Sequence, residues 1–214
     1  MDSREKKHKY KKYKSKYIKL KQLNEGYYLV HGTDSVHINK ILEQGYIYSG
    51  RYLPDDETRL GGWEKLPYVY CNIYFDDVKN LPHSHGYTLI LHPKIIKDKG
   101  IIFNKGWAVH PTKDSIFIKP NDENYDEKIN LIKELVKNPT YLPKYDNKPN
   151  PLHPIMHHEV LIKDKIDVHK YLIGLLLPGL EGMSDNIQQI LDKNGYKNIK
   201  IFTTSDLPNV KELI

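Results

Sequence analysis

Residues 27–45, with the sequence YYLVHGTDSVHINKILEQG, decide the fold. The first four residues are aromatic or apolar and predict a short buried strand. Within 33–35, a threonine, an aspartate and a serine can each cap a helix, because their oxygens accept hydrogen bonds from its first free amides. The apolar spacing extends this helix to about Glu43, and Gly45 stands where a helix end favours glycine. The stretch therefore predicts a strand followed directly by a helix.

The rest of the chain holds many strands and few helices. Runs rich in β-branched and aromatic residues predict strands at 46–49, 68–75, 87–91, 101–103, 115–118, 158–162, 171–177 and 198–203. Helical periodicity predicts helices at 124–137 and at about 185–193, whereas five prolines predict a loop at 139–154. This mixture predicts an α+β fold.

The net charge of +6 is distributed unevenly along the chain. Residues 1–22 contain ten basic and two acidic residues, so the remainder, 23–214, is slightly acidic. We expect a basic arm at 1–22 attached to a single domain at 23–214. The arm is either a solvated tail or an amphipathic helix, and helical spacing relates its residues Tyr10, Tyr13, Tyr17 and Leu20. We expect any nucleic acid or acidic partner to bind there first.

Composition excludes several classes of protein. Cys71 is the single cysteine, so the chain has no internal disulfide and no cysteine-based zinc site, which fits a reducing compartment. No apolar run approaches the length of a membrane span, and no apolar segment follows the basic start. We therefore expect an intracellular protein that binds no membrane. Abundant Lys, Ile, Asn and Tyr indicate an AT-rich genome, such as that of a large DNA virus.

Histidines cluster near one carboxylate in the second half of the chain. His153, His157 and His158 precede or adjoin Glu159, but they lack the spacing of the His-Glu-x-x-His zinc motif. We therefore predict no metal site.

Three short motifs carry the candidate chemistry. His31-Gly32-Thr33 ends the first strand, Ile73-Tyr74-Phe75 lies in a later strand, and Glu159 opens another. The helix after the first motif ends in the sequence ILEQGYI, residues 41–47. In this order, the motifs resemble the catalytic domain of the diphtheria-toxin-like ADP-ribosyltransferases, which include the poly(ADP-ribose) polymerases. The second motif departs from that family at Asn72, where the family usually has glycine.

The resemblance implies a split β-sheet core with flanking helices and NAD as the substrate. It implies that His31 binds a ribose hydroxyl of the adenosine half, beside Thr33. Gly32 would present its backbone to the nicotinamide carboxamide, since a side chain there would block the approach. The resemblance also places Tyr74 at the nicotinamide pocket.

Two further elements of the family pattern have matches in this chain. Ser84 and Tyr87 fit a Ser-x-x-Tyr pair in which the serine binds the carboxamide and the tyrosine stacks on the ring. Glu159 would be the catalytic glutamate, acting with His31 and Tyr74. Breaking the nicotinamide–ribose bond develops positive charge on the ribose, and a carboxylate on the adjacent hydroxyl stabilises that charge most in the transition state.

The function predicted from this resemblance is an NAD-dependent ADP-ribosyltransferase that modifies a macromolecular acceptor, with protein favoured. One alternative is an enzyme of the same fold that acts on DNA or RNA, which the basic arm would suit. Another is a non-catalytic module that binds NAD or ADP-ribose. The RNA 2′-phosphotransferases share the fold but need an arginine-rich site, and arginine is scarce here, so we rank them lower.

Overall fold

The computed structural model describes residues 26–53, 66–78, 86–105, 110–137, 158–177, 185–196, 199–203 and 207–213. The predicted basic arm at 1–22, the predicted loop at 139–154 and Ser84 lie outside these residues.

The described part of the chain contains ten strands and six α-helices. The strands are β1 Tyr27–Thr33, β2 Tyr46–Tyr48, β3 Tyr68–Phe75, β4 Tyr87–Leu91, β5 Ile101–Asn104, β6 Ile116–Ile118, β7 Glu159–Lys163, β8 Lys165–Asp167, β9 Leu172–Leu176 and β10 Lys200–Phe202. The helices are α1 Ser35–Gln44, α2 Lys94–Lys99, α3 Tyr125–Lys137, α4 Val168–Tyr171, α5 Asp185–Lys193 and α6 Val210–Leu213. A 3₁₀ turn occupies Gly50–Tyr52.

Eight of the described strands form one mixed sheet, in the order β10-β9-β4-β1-β3-β7-β5-β6. The neighbours are antiparallel except β10 and β9, which are parallel. Strand β1 lies in the middle, with Tyr28 opposite Tyr74 of β3 and Thr33 opposite Tyr87 of β4. The strands β2 and β8 form a separate two-stranded sheet.

The large sheet has a core on each face. Leu29 of β1, Ile73 of β3 and Val160 of β7 belong to the main core, together with the buried residues Ile38 and Leu42 of α1. Because side chains alternate along a strand, the intervening residues face the other side. There, a smaller core joins Tyr28, Val30 and Ile90 to Val210 and Leu213 of α6.

The predicted α+β class, the strand-to-helix order at 27–45 and the helices near 124–137 and 185–193 are confirmed. Four short elements were not predicted, and each contains three to six residues: α2, β8, α4 and α6. Elements of this length have almost no periodicity of their own, and tertiary contacts hold them, as when β8 pairs with β2. No helix in the described ranges has both the length and the apolar character needed to cross a membrane.

Candidate functional site

The site is built at the corner where β1 passes into α1. Asp34 caps the helix, since its Oδ1 accepts hydrogen bonds from the amides of Val36 and His37 at 3.1 and 2.9 Å. The helix ends at Gly45, whose φ of 74° lies in the left-handed region and whose amide donates to the Ile41 carbonyl. Both ends are therefore fixed by local sequence, and the last residues of β1 are held at the start of the helix.

His31 lies at this corner with its imidazole orientation fixed. Its Nδ1 is 2.8 Å from the backbone carbonyl oxygen of Tyr70. A carbonyl only accepts hydrogen bonds, so Nδ1 carries the proton and Nε2 of the neutral ring is an acceptor. Burial lowers the pKa of His31, and the Tyr70 carbonyl opposes that shift only in part. His31 is therefore neutral near pH 7, with one acceptor nitrogen.

A cleft of about 490 Å³ opens beside this corner. It lies between the end of β1, one side of α1, the β2 strand and the start of β3. Its described lining residues are His31, Gly32, Thr33, Asp34, His37, Lys40, Ile41, Gln44, Tyr46, Ile47, Tyr48, Gly50, Leu53, Tyr68, Val69, Tyr70 and Gly86. The volume lies within the range of about 300–1,000 Å³ that is typical of small-molecule and cofactor sites.

The helix α1 gives the cleft its polar wall. His37, Lys40 and Gln44 recur at helical spacing and line the same side of the cleft. The Nδ1 of His37 lies 2.7 Å from the Asp34 carboxylate, so the capping residue also orients this imidazole. Lys40 adds a positive charge to a cleft whose other side is largely aromatic.

Gly86 closes the cleft where β4 meets β1, and the contact there requires glycine. A Cβ atom at this position would lie 2.3 Å from the carbonyl oxygen of Thr33. The backbone of Gly86 and the end of β1 are therefore in direct contact. Any side chain at this position would displace the strand that carries His31.

Glu159 lies on the strand that neighbours β3 on its other side, and it is not among the described residues that line the cleft. It opens β7, and because Leu161 is opposite Tyr70, alternation places Glu159 on the same face as Tyr70. Burial, and then the negative charge of Glu159, raise the pKa of Tyr70 to about 12. The Tyr70 carbonyl holds His31 and its side chain lies near Glu159, but alternation along β1 places the His31 side chain with Leu29, on the opposite face of the sheet from Glu159.

Tyr74 lies farther along β3, away from the cleft. Its ring stacks on Tyr28 with centroids 4.7 Å apart, and it packs against the smaller core. Four residues of extended strand, about 13 Å, separate it from Tyr70. The structure therefore does not bring Tyr74 together with His31, and this geometry does not support its predicted role at the nicotinamide.

Of the two remaining predicted residues, Tyr87 lies at the β4 side of the cleft. Tyr87 is opposite Thr33 and is only 9% exposed, so its ring packs in the main core directly after cleft-lining Gly86. Ser84 lies outside the described residues, so its predicted contact stays a prediction.

The cleft residues that were not found from the sequence include Tyr70, Tyr46, Tyr48 and Lys40. Tyr70 and Tyr74 occupy equivalent alternating positions of one strand, and the sequence does not reveal that Tyr70 pairs with β7 and Tyr74 with β1. Lys40 could have been found from the spacing 37, 40, 44, which places it on the cleft side of α1. Within the described ranges no group of three metal-ligating side chains occurs, and His153 and His157 lie outside those ranges.

Residues 24–139, just over half of the chain, match the family DUF5846, described as a family of unknown function. The chain is also 36% identical over 231 residues to the uncharacterized protein R11 of Acanthamoeba polyphaga mimivirus, covering 97% of this chain and 84% of that protein. The chain belongs to DUF5846. A mimivirus relative agrees with the viral origin that composition indicates.

This DUF5846 chain also resembles solved structures of the DarT protein of Thermus sp. 2.9. The structure in complex with NAD+ matches with a TM-score of 0.51 and 12% identity, covering 83% of this chain and 96% of that one. The structure in complex with ADP-ribosylated ssDNA matches with a TM-score of 0.50 and 10% identity, covering 85% and 95%. At this identity the likeness concerns the fold, which is ADP-ribosyltransferase-like, as the motifs imply.

Proposed function

We propose that this chain is an NAD-dependent ADP-ribosyltransferase. The observation that carries the proposal is the placement of His31, Gly32 and Thr33 at an open cleft of dinucleotide size, in a chain with an ADP-ribosyltransferase-like fold. The enzyme would cleave the nicotinamide–ribose bond of NAD and transfer ADP-ribose to a macromolecule.

The binding part of the reaction rests on β1 and α1. The Nε2 of neutral His31 accepts a hydrogen bond from a hydroxyl of the adenosine ribose. Gly32 is exposed and offers its backbone groups to the nicotinamide carboxamide. Lys40 in the cleft attracts the diphosphate that joins the two halves of NAD.

The chemical step needs a carboxylate near the nicotinamide ribose, and we assign this role to Glu159. As the carbon–nitrogen bond breaks, nicotinamide leaves with the bonding electrons and the ribose carbon becomes positive. The Glu159 carboxylate, bonded to the adjacent hydroxyl, stabilises that charge. A nucleophilic oxygen or nitrogen of the acceptor then bonds to the carbon and loses its proton to solvent. Tyr70, whose carbonyl binds His31 and whose side chain lies near Glu159, is the aromatic residue we place beside this centre.

The acceptor is either protein, as the resemblance to the polymerases favours, or nucleic acid. Nucleic acid gains support because one structure with the same fold is a complex with ADP-ribosylated ssDNA. The basic residues of 1–22 also suit a polyanion. A non-catalytic module would bind NAD without releasing nicotinamide.

The test is incubation of the full chain with NAD labelled in its adenylate part, together with separated protein and nucleic-acid fractions of a lysate. We expect release of nicotinamide and label in one of the two fractions. Label on protein or on nucleic acid identifies the acceptor class. Binding of NAD with no nicotinamide release and no label would overturn the proposed activity in favour of the binding module.

A further inference from the structure

Three tyrosines form a strip on the surface beside the cleft, which we name the tyrosine strip: Tyr46, Tyr48 and Tyr52. The ring centroids of Tyr46 and Tyr48 are 5.7 Å apart, and those of Tyr48 and Tyr52 are 6.3 Å apart. Tyr46 and Tyr48 are half-buried, and Tyr52 is 54% exposed. The strip is therefore a nearly continuous aromatic surface in contact with solvent.

The small sheet of β2 and β8 presents this strip outward. Ile47 lies opposite Ile166, and both are buried in the main core. Because alternate side chains point to opposite faces, Tyr46 and Tyr48 point away from that core. The outward direction of these rings is thus fixed by the pairing of two short strands.

Positive charge accompanies the rings. The Nζ of Lys165 lies 4.0 Å from the ring centroid of Tyr46 and 5.9 Å from that of Tyr48. Lys99 donates to the Lys165 carbonyl at 2.7 Å, which brings a second exposed cation to the same place. Exposed Arg51 precedes Tyr52 in the chain.

Two carboxylates lie near the strip, and each is already engaged. The Asp164 carboxylate accepts a hydrogen bond from the Tyr52 hydroxyl at 3.4 Å. The Asp167 carboxylate caps α4 by accepting from the amide of Lys170 at 3.1 Å. Lys165 therefore contacts the rings directly, Asp164 is bonded to Tyr52, and Asp167 is paired with Tyr46 across the small sheet.

We propose that the tyrosine strip binds a single-stranded nucleic acid and leads it to the cleft as the acceptor. Exposed aromatic rings beside cations are the combination that holds single strands, since bases stack on the rings and phosphates pair with the cations. Tyr46 and Tyr48 belong to both the strip and the cleft lining, so a strand on the strip continues into the cleft. The inference rests on the proposed function for the transfer step, but binding on the strip is measured without NAD.

The experiment is fluorescence anisotropy of a labelled short single-stranded oligonucleotide with the full chain, basic arm included. The test variants are Tyr52→Ala, Tyr52→Phe and Lys165→Gln, and neither position lines the cleft. The matched controls are Phe117→Ala and Lys113→Gln, which change exposed residues elsewhere. We expect Tyr52→Ala to raise the dissociation constant by about fivefold or more, with Tyr52→Phe close to wild type. Lys165→Gln should reduce the slope of the logarithm of the binding constant against the logarithm of the salt concentration by about one, because one phosphate contact is lost.

Several outcomes would overturn the proposal. One is an equal loss of oligonucleotide affinity in Tyr52→Ala and Phe117→Ala. Another is equal affinity of the wild-type chain for duplex and single-stranded oligonucleotides. A third is a peptide whose binding depends on Tyr52 while oligonucleotide binding does not.

Nicotinamide release without an acceptor is measured on the same variants, and it separates this inference from the proposed function. Strip-dependent oligonucleotide binding with no nicotinamide release from the wild-type chain would support the strip and reject the enzyme. Normal nicotinamide release, with oligonucleotide binding that does not depend on Tyr52, would support the enzyme and reject the tyrosine strip as the binding site.

Discussion

The two ends of β3 carry tyrosines on the same face of the sheet, yet their surroundings differ. At the start of the strand, Tyr70 lines the cleft, holds His31 through its carbonyl and lies near Glu159. At the other end, Tyr74 stacks on Tyr28 in the smaller core. The neighbouring strand, rather than the residue type, therefore decides which tyrosine can contact a ligand.

At the Tyr74 end of β3, hydrogen bonds attach the sheet to α6 and the residues just before it. The hydroxyl of Tyr28 donates to the Pro208 carbonyl at 2.7 Å. The amide of Val210 donates to the Asp76 carboxylate at 2.8 Å. These bonds attach α6 to the end of β3, so we expect changes there to affect stability and changes at the Tyr70 end to affect catalysis.

The largest effect is expected from Glu159→Gln at the Tyr70 end. Loss of the carboxylate removes the charge that stabilises the transition state, so kcat should fall by about 100-fold to 1,000-fold, with NAD affinity retained. Nicotinamide release and NAD titration measure the two quantities. Glu134→Gln, at an exposed position of α3, is the matched control and should behave as wild type. Unchanged turnover in Glu159→Gln would remove Glu159 from the site.

The next effect is expected from Gly86→Ala. The added methyl group would lie 2.3 Å from the Thr33 carbonyl, so the end of β1 must move. A shift of this kind in substrate-positioning groups costs about 100-fold in kcat/KM. Gly195→Ala is the control, because that glycine has a positive φ but open space around it. It should lower the unfolding temperature and leave kcat/KM unchanged, and equal losses of kcat/KM in both variants would contradict the prediction.

The pair Tyr70→Ala and Tyr74→Ala tests the comparison itself. We expect Tyr70→Ala to lower kcat/KM for NAD by about tenfold, because an aromatic wall of the cleft is lost. Tyr74→Ala should instead lower the free energy of unfolding by about 2 kcal/mol, with kcat/KM unchanged at a temperature where the variant is folded. Urea unfolding and steady-state kinetics on both variants give the answer. The opposite pattern would place the nicotinamide pocket at the Tyr74 end.

A smaller effect is expected from pH, through His31. Burial lowers the pKa of His31 in the folded chain, so the unfolded chain binds the proton more readily. The contribution of His31 to the free energy of unfolding is therefore fully present above the ordinary histidine pKa of about 6.5. It is lost as the pH falls through the lowered pKa of His31 in the folded chain. His31→Gln should lose less stability than wild type between about pH 7.5 and about pH 5.5. His110→Gln, which replaces an exposed imidazole, is the matched control measured over the same pH range.

The strand-to-helix corner could be predicted because its signals are local. Asp34 caps α1 and Gly45 ends it, and both act on amides and carbonyls within a few residues. His31 is placed by the same corner. Glu159 and Tyr70 could not be placed together in advance, because β3 and β7 are about ninety positions apart in the chain and only their pairing brings them close. The sequence Ile-Tyr-Phe matches the family motif at Tyr74, but strand alternation places Tyr70 on the same face, so the motif alone could not show which tyrosine lies at the cleft.

We propose that the exposed backbone of Gly32, at the end of β1, contacts NAD in the cleft. Gly32→Val tests it, since a β-branched side chain suits a strand but would fill the approach to that backbone. The measurement is calorimetric titration of NAD into both chains. We predict one NAD per wild-type chain and no measurable binding to Gly32→Val, with equal unfolding temperatures. Equal NAD binding by the two chains would exclude a contact between NAD and the Gly32 backbone.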